Sequence, residues 1–224
     1  MQRSTLIWVR VYRLLLAAAI LVAIFYQLAQ FTGTGVSVVT YLSFFTVQSN
    51  LIAAAVLLWN GVWPARGEPT LARDLVRGAA VLYLAITGVV YALLLSAYNA
   101  QVNGALLWIN LLHHYIAPLA VFIDWLIDPP GPALTFRRAL LWVVYPLIYL
   151  TYTLLRGARI DWYPYPFLDP AAVGGYGGVA VFSLMTLVGA LVFVGVLVTL
   201  GRGVRGPARR GRADSGLDAS NPPS

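Results

Sequence analysis

The feature that most limits how this chain can fold is a series of six apolar stretches, each long enough to cross a bilayer. A bilayer core needs about 20 apolar residues in helical conformation. Because lipid cannot hydrogen-bond an exposed backbone, a spanning segment must be helical. The sequence therefore predicts an all-α fold, a polytopic membrane protein built as a bundle of six transmembrane helices. The predicted helices cover residues 14–31, 41–59, 78–98, 105–127, 139–155 and 179–200.

Composition excludes several classes of function. Only 10% of the 224 residues are charged, against roughly 25% in a soluble domain. Cysteine and lysine are absent, which excludes a thiolate nucleophile and a Schiff-base lysine. The two histidines, His113 and His114, are adjacent, so on a helix they point about 100° apart and cannot clamp a haem or a metal ion. We therefore expect no metal site and no cofactor, and membrane acids are too few to favour an ion pump.

The distribution of arginines predicts the orientation. All 15 basic residues are arginine, and all but Arg156 and Arg159 lie before the first helix, in the second and fourth loops, or after the sixth helix. The positive-inside rule then places both termini in the cytoplasm. The net charge of +7 is explained by this orientation, so we expect no nucleic-acid partner. The Arg- and Ala-rich usage favours a bacterial cytoplasmic membrane, and residues 201–224 are predicted to be a disordered cytoplasmic tail.

Polar residues gather in the outer half of the predicted bundle. In predicted helix 2, Ser43, Thr46 and Asn50 are spaced three and four apart and share a face. In predicted helix 4, Asn110 and His114 are one turn apart. At a rise of 1.5 Å per residue, Thr46 lies roughly 8 Å and His114 roughly 13 Å from the outer end, so contact between the two helices would join them. The alternative is that these groups only bond their own helix or bridge neighbours.

Predicted helix 5 carries a second polar pattern. Three tyrosines and an arginine form a stripe that leads to the outer surface: Tyr145, Tyr149, Tyr152 and Arg156. The following loop, residues 160–170, is rich in proline and aromatic residues, which predicts either a structured lid over the outer mouth or a rigid interfacial cap. At the cytoplasmic end, Asp124 is expected to pair with Arg137 or Arg138 across a short loop.

Several motifs carry a resemblance to known membrane proteins. They are Phe44-Phe45-Thr46-Val47-Gln48-Ser49-Asn50, His114-Tyr115-Ile116-Ala117-Pro118, Asp124-Trp125, Tyr145-Pro146, Arg156-Gly157 and Tyr163-Pro164-Tyr165-Pro166-Phe167-Leu168-Asp169. On these residues, from predicted helix 2 to the start of helix 6, the chain resembles the Pr6Pr family of bacterial six-pass membrane proteins. It is more distantly similar to the androgen-induced proteins of the FAR-17a family. Those are regarded as hydrolases of fatty acid esters of hydroxy fatty acids that use an intramembrane threonine and histidine.

The resemblance implies a catalytic pair, with Thr46 as nucleophile and His114 as base. Ser43 is the alternative hydroxyl and His113 the alternative histidine. A histidine that accepts the threonine proton makes the hydroxyl a competent nucleophile. Asn110 would fix the histidine tautomer. Gln48, Asn50 or a tyrosine would donate to the oxyanion.

The sequence leaves three functions open. The first is a hydrolase of lipid (fatty acyl) esters, with membrane lipids as partners and an ester as substrate. The second is a non-enzymatic lipid-binding or small-solute transport protein in which Tyr149, Tyr152 and Arg156 hold a head group. The third is an accessory membrane subunit. The sequence gives no prediction of the oligomeric state.

Overall fold

The computed structural model describes the backbone of residues 3–64, 70–96 and 106–217, and the side chains of residues 7–64, 70–96 and 106–203. Within these ranges the protein is helical and has no strand. Seven helices follow one another along the chain: α1 Arg3–Gly33, α2 Val38–Leu42, α3 Phe45–Val62, α4 Leu71–Leu95, α5 Leu107–Ile127, α6 Phe136–Ile160 and α7 Tyr176–Leu217.

Six of these helices, all except α2, are long and apolar enough to cross a membrane. The predicted all-α fold with six spanning helices is therefore confirmed, and the chain is an integral membrane protein. The predicted boundaries at residues 98 and 105 lie outside the described residues. Helix α4 is central, since it contacts α3, α5, α6 and α7. In the apolar stretches of α3 and α4, 50% of the residues are buried inside the protein. In the other four spanning helices the buried share is 28% or less.

The segment predicted as one helix from 41 to 59 is two helices. Helix α2 ends at Leu42, and α3 begins at Phe45 after Phe44 adopts an extended conformation, with φ −76° and ψ 129°. Ser43 therefore lies outside α3. The sequence pattern predicts that Ser43 and Thr46 share a helical face, and the structure shows that they do not. Thr46 is instead in the first turn of α3, where backbone N–H groups lack partners within the helix.

Two prolines explain irregular turns in α5 and α6. Proline has no N–H to donate, and its ring crowds the carbonyl four residues earlier. Pro118 disturbs the carbonyl of His114 in this way, and the chain forms a π-helical turn over Leu112–Ile116. Pro146 does the same to Trp142, which lies in a 3₁₀ turn, Leu140–Val143.

A buried charge cluster joins helices at the end of the bundle where Asp124 lies, which we call the Asp124 end. Asp124 bonds Arg13 of α1 at 2.6 Å and Arg77 of α4 at 3.0 Å. The sequence predicts that Asp124 pairs with Arg137 or Arg138, and this prediction is wrong. Those two side chains are exposed, whereas Asp124 is buried. A buried carboxylate takes partners from the helices packed against it rather than from the nearest loop.

The last helix is longer than predicted. The sequence predicts disorder from residue 201, but α7 continues to Leu217. Extending an existing helix needs no new nucleation step, although the five glycines and the proline of residues 201–217 are poor helix formers. Residues 218–224 of the predicted tail lie outside the described residues.

Candidate functional site

Thr46 and His114 meet at the opposite end of the bundle, which we call the Thr46 end. The Oγ1 atom of Thr46 lies 3.3 Å from Nε2 of His114. The other ring nitrogen, Nδ1, lies 3.1 Å from the backbone carbonyl of Asn110. A carbonyl oxygen can only accept, so Nδ1 carries the proton and Nε2 presents a lone pair to the Thr46 hydroxyl. The backbone of Asn110, rather than its predicted side chain, is what faces the imidazole.

Two π-helical turns, one in α4 and one in α5, support the imidazole. His114 lies in the turn Leu112–Ile116, and Tyr91 begins the turn Tyr91–Leu95. The two rings stack with centroids 3.9 Å apart and planes inclined by 21°. The side-chain amide of Asn110 donates to the Tyr91 hydroxyl. The predicted residue Asn110 therefore holds both His114 and its stacking partner, because π-helical turns leave room for side chains to reach the backbone.

A third group at the pair is Tyr165, in the loop between α6 and α7. Its hydroxyl oxygen accepts from the backbone N–H of Thr46 at 3.2 Å and lies 3.4 Å from Thr46 Oγ1. Burial raises the pKa of Tyr165, so the phenol stays protonated and keeps a proton to donate. The sequence analysis includes a tyrosine among the possible donors but does not single out Tyr165. Its only signal is its position in the Tyr-Pro-Tyr-Pro-Phe run, which does not indicate that it reaches α3.

The predicted residues Ser43, Tyr149 and Tyr152 lie together but away from the histidines. The Ser43 hydroxyl donates to the carbonyl of Val39 at 2.7 Å and lies 3.3 Å from the Tyr152 hydroxyl. Tyr149 donates to the Ser43 carbonyl at 2.9 Å. These bonds fix the break between α2 and α3. Of the two candidate hydroxyls, Thr46 is the one beside a histidine among the described residues.

The amides of Gln48 and Asn50 are also engaged in holding helices. Gln48 donates to the Leu42 carbonyl at 2.7 Å and accepts from Tyr145. Asn50 donates to the Thr46 carbonyl at 2.9 Å and to the His113 carbonyl at 3.4 Å. Neither amide donates toward the Thr46 hydroxyl, so the structure offers Tyr165 in place of the predicted amide donors.

His113 and Arg156, the remaining predicted residues, are set apart from the pair. His113 is buried, and its Nε2 atom has no hydrogen-bond partner among the described residues. Arg156 stacks over Trp162, with its guanidinium carbon 5.0 Å from the ring centroid, and reaches Thr40 at 3.5 Å. Arg156 therefore lies beside Trp162, a residue of the loop after α6.

A cavity of about 680 Å³ opens beside the pair; we call it the polar cavity. One wall is the loop after α6, whose Trp162 and Tyr165 pack edge-on against Phe44. The loop also docks on α6 at Gly157, where a Cβ atom would lie 2.1 Å from the Tyr163 ring. The loop is therefore structured and covers the site. Polar side chains in the cavity come from five parts of the chain: Gln27, Tyr41, Thr46, Asn110, His113, His114, Tyr165 and Asp169.

The arrangement suits nucleophilic chemistry. A hydroxyl faces a neutral imidazole, which is the pairing that activates serine and threonine nucleophiles. Thr46 is in the first turn of α3, where the helix dipole favours developing negative charge. Tyr165 adds a phenolic donor at the same point.

Comparisons with protein-family models, with curated proteins and with solved structures found no match to this chain.

Proposed function

We propose that the protein is an intramembrane Thr/His hydrolase of lipid (fatty acyl) esters. The observation that carries the proposal is the 3.3 Å approach of Thr46 Oγ1 to His114 Nε2, with Nδ1 of the same ring committed to a carbonyl. The resemblance of the sequence to intramembrane threonine hydrolases supports the same two residues. A Thr/His pair in an apolar bundle is best suited to a substrate that reaches it through the membrane.

In the first half of the reaction, the Thr46 oxygen attacks the ester carbonyl carbon while His114 Nε2 takes the hydroxyl proton. The Tyr165 hydroxyl donates to the resulting oxyanion, and the N-terminus of α3 stabilises its charge. The bond to the alcohol oxygen then breaks, and that oxygen takes the proton from Nε2. An acyl-threonine remains.

In the second half, water attacks the acyl-threonine carbonyl and gives a proton to Nε2. The Thr46 oxygen leaves, recovers that proton, and the fatty acid is released. The imidazolium formed in each half is stabilised by the Asn110 carbonyl and by the Tyr91 ring. Among the described residues no carboxylate contacts the His114 ring, so we expect slower turnover than a full triad gives.

The proposed setting is a bacterial cytoplasmic membrane with both termini in the cytoplasm. The excess of arginine on the loops at the Asp124 end supports this orientation. Thr46 and His114 would then lie in the outer half of the bundle, under the loop that carries Trp162 and Tyr165.

The test is covalent labelling of the purified protein by a fluorophosphonate, together with hydrolysis of a lipid ester. Thr46→Val keeps the side-chain shape but lacks the hydroxyl, and it should abolish both. Thr46→Ser should keep labelling, and His114→Ala should lower the rate about 10²–10⁴-fold. Ser43→Ala is the matched control and should behave as the unchanged protein. Labelling and turnover that survive Thr46→Val in folded protein would exclude the proposal.

A second candidate, a non-catalytic lipid-binding protein, is favoured by Arg156. Among the described residues this guanidinium has no carboxylate within ion-pair distance, and it stacks over Trp162, which lines the polar cavity. Such a cation suits an anionic head group. The affinity of these variants for an anionic lipid separates the two functions. A lipid-binding protein without catalysis should lose affinity in Arg156→Gln and keep it in Thr46→Val.

A further inference from the structure

A narrow apolar space leads away from Thr46 on the side opposite the polar cavity. This space, the apolar crevice, has a volume of about 100 Å³ and runs among α3, α4, α6 and α7. A second space of about 200 Å³, the α4–α7 groove, lies between α4 and α7. The two share lining residues, namely Ile86, Val90, Thr186 and Ala190. The two spaces are therefore adjacent, and together we call them the path from Thr46 to the gap between α4 and α7.

The walls of this path are mostly hydrocarbon, and among the described residues no charged side chain lines either part. The buried Ser183 hydroxyl in the apolar crevice has no hydrogen-bond partner in the described part of the chain. Two other hydroxyls of the path are already committed: Thr87 donates to the Tyr83 carbonyl at 3.0 Å, and Thr186 donates to the Phe182 carbonyl at 2.9 Å. At its far end the groove is edged by Leu93 and Met185, which are 76% and 63% exposed. In a membrane these side chains face lipid, so the path opens sideways into the bilayer.

The polar cavity and the apolar crevice meet at the proposed catalytic residues. Thr46 and Tyr165 line both spaces. An amphiphilic molecule that spans the junction would place its polar part with the histidines and loop, and its chain in the crevice. Its ester linkage would then lie at the Thr46 hydroxyl.

We infer that the apolar crevice and the α4–α7 groove bind the acyl chain of the substrate, which enters laterally between α4 and α7. This inference rests on the proposed hydrolase function and specifies its substrate as an ester of a long, single acyl chain. Its alcohol part occupies the polar cavity. Each additional methylene that is buried strengthens binding roughly fourfold, so the path makes long-chain esters better substrates than short ones.

Gly189 provides a direct way to block the path. It lines the α4–α7 groove, and a Cβ atom added there meets nothing within 4 Å, so we expect the backbone to accept Gly189→Leu and the larger side chain to narrow the groove. Val192→Leu is the matched control, because Val192 is 63% exposed on the same helix and lines neither space.

The first measurement compares kcat/KM for p-nitrophenyl palmitate and p-nitrophenyl butyrate. Gly189→Leu should lower the value for palmitate at least tenfold and leave butyrate unchanged, while Val192→Leu changes neither. Equal losses for both esters, or no loss for palmitate, would overturn the inference.

The second measurement does not depend on turnover. Palmitic acid with a diazirine on its chain is photolysed with the protein, and labelled peptides are mapped by mass spectrometry. Labels should concentrate on α4 and α7 and be lost in Gly189→Leu. If labelling follows this pattern but Thr46→Val does not change hydrolysis, acyl-chain binding in the crevice is supported and the hydrolase proposal fails. If labels spread over all lipid-facing helices or survive Gly189→Leu, the crevice is excluded even in an active enzyme.

Discussion

At the Thr46 hydroxyl, the neighbouring groups have separate tasks. His114 presents a lone pair at 3.3 Å, and Tyr165 presents a phenol at 3.4 Å. The backbone N–H of Thr46 is satisfied by the same phenol, which fixes the position of Tyr165 relative to the Thr46 side chain. A preorganised donor of this kind stabilises charge without reorganisation during the reaction. The distinction between Thr46 and Ser43 comes from these contacts, since both are hydroxyls near the same helix end.

Tyr165→Phe tests the role of the phenol at the residue scale. The ring contacts with Phe44 and Phe167 remain, but the oxyanion donor is lost, so kcat for ester hydrolysis should fall about 10²–10³-fold with little change in KM. Steady-state kinetics with a lipid ester measure this. Tyr152→Phe is the control, because that hydroxyl contacts Ser43. A rise in KM with no change in kcat would contradict this prediction and would show that Tyr165 contributes to substrate binding instead.

At the scale of helices, irregular turns put the site together. Pro118 breaks the regular hydrogen bonding of α5, and the π-helical turn before it carries His114. The break before Phe45 makes Thr46 part of a helix start. Helix α4 brings Tyr91 against the imidazole through a close approach at Gly88, where a Cβ atom would lie 2.9 Å from the His114 carbonyl oxygen. The position of the His114 imidazole is therefore set in part by the packing of α4 against α5, whereas Thr46 is held on α3.

Gly88→Ala tests this packing. The added methyl group meets backbone, which cannot rotate away, so α4 and α5 must separate, the stack of Tyr91 on His114 must loosen, and we expect the imidazole to shift relative to Thr46. Overpacking of this kind costs about 1–3 kcal/mol, and misplacement of a catalytic group by about 1 Å costs on the order of 10²-fold in rate. Thermal unfolding and ester hydrolysis in detergent measure the two effects. Gly177→Ala, where a Cβ atom meets nothing within 4 Å, should change neither.

At the scale of the whole molecule, the two ends of the bundle have different chemistry. The Thr46 end carries mostly neutral polar groups around the polar cavity, with Asp169 and Arg156 as charged residues at that end, whereas the Asp124 end carries a dense ionic cluster. Asp128 joins that cluster through Arg13 at 2.8 Å and Arg73 at 2.5 Å. Charges inside a membrane protein are stable only when paired. The cluster thus ties α1, α4 and α5 together far from the site and holds the bundle in which the site forms.

Asp128→Asn should lower stability in a pH-dependent way. Burial alone would raise the pKa of Asp128, but the charge of Arg77 and hydrogen bonds from two further arginines hold it well below its usual range. Its stabilisation is therefore complete above the unfolded value of 3.8 and is lost as pH falls toward the depressed folded pKa. At pH 7 the variant should lose about 2 kcal/mol.

Thermal unfolding in detergent between pH 3 and 8 checks this expectation. The Tm difference between the unchanged protein and Asp128→Asn should be constant from pH 5 to 8 and narrow below about pH 4. Asp161→Asn is the control, because Asp161 is exposed and has a positive φ of 53° that asparagine also tolerates. A difference that is unchanged at pH 3 would show that Asp128 acts by shape and not by charge.

The sequence by itself determined the number of membrane helices and the depth of the polar residues. Hydropathy is a property of consecutive residues, and a helix has a fixed rise, so Thr46 and the histidines fall at similar depth whatever the packing. The sequence also indicates an irregular turn near His114, since Pro118 follows that residue by four positions. The stripe from Tyr145 to Arg156 was located, although the partners of these side chains were not.

Only the tertiary structure decided which residues meet. Thr46 and His114 are 68 positions apart, Thr46 and Tyr165 are 119 apart, and Arg13 and Asp124 are 111 apart. Contacts at such separations depend on how helices rotate and pack, and a single sequence carries no direct signal of this rotation. Helix packing brings Thr46, and not Ser43, beside His114, and it brings Tyr165, and not the amides, beside Thr46. Helix packing likewise makes Arg13 and Arg77 the partners of Asp124.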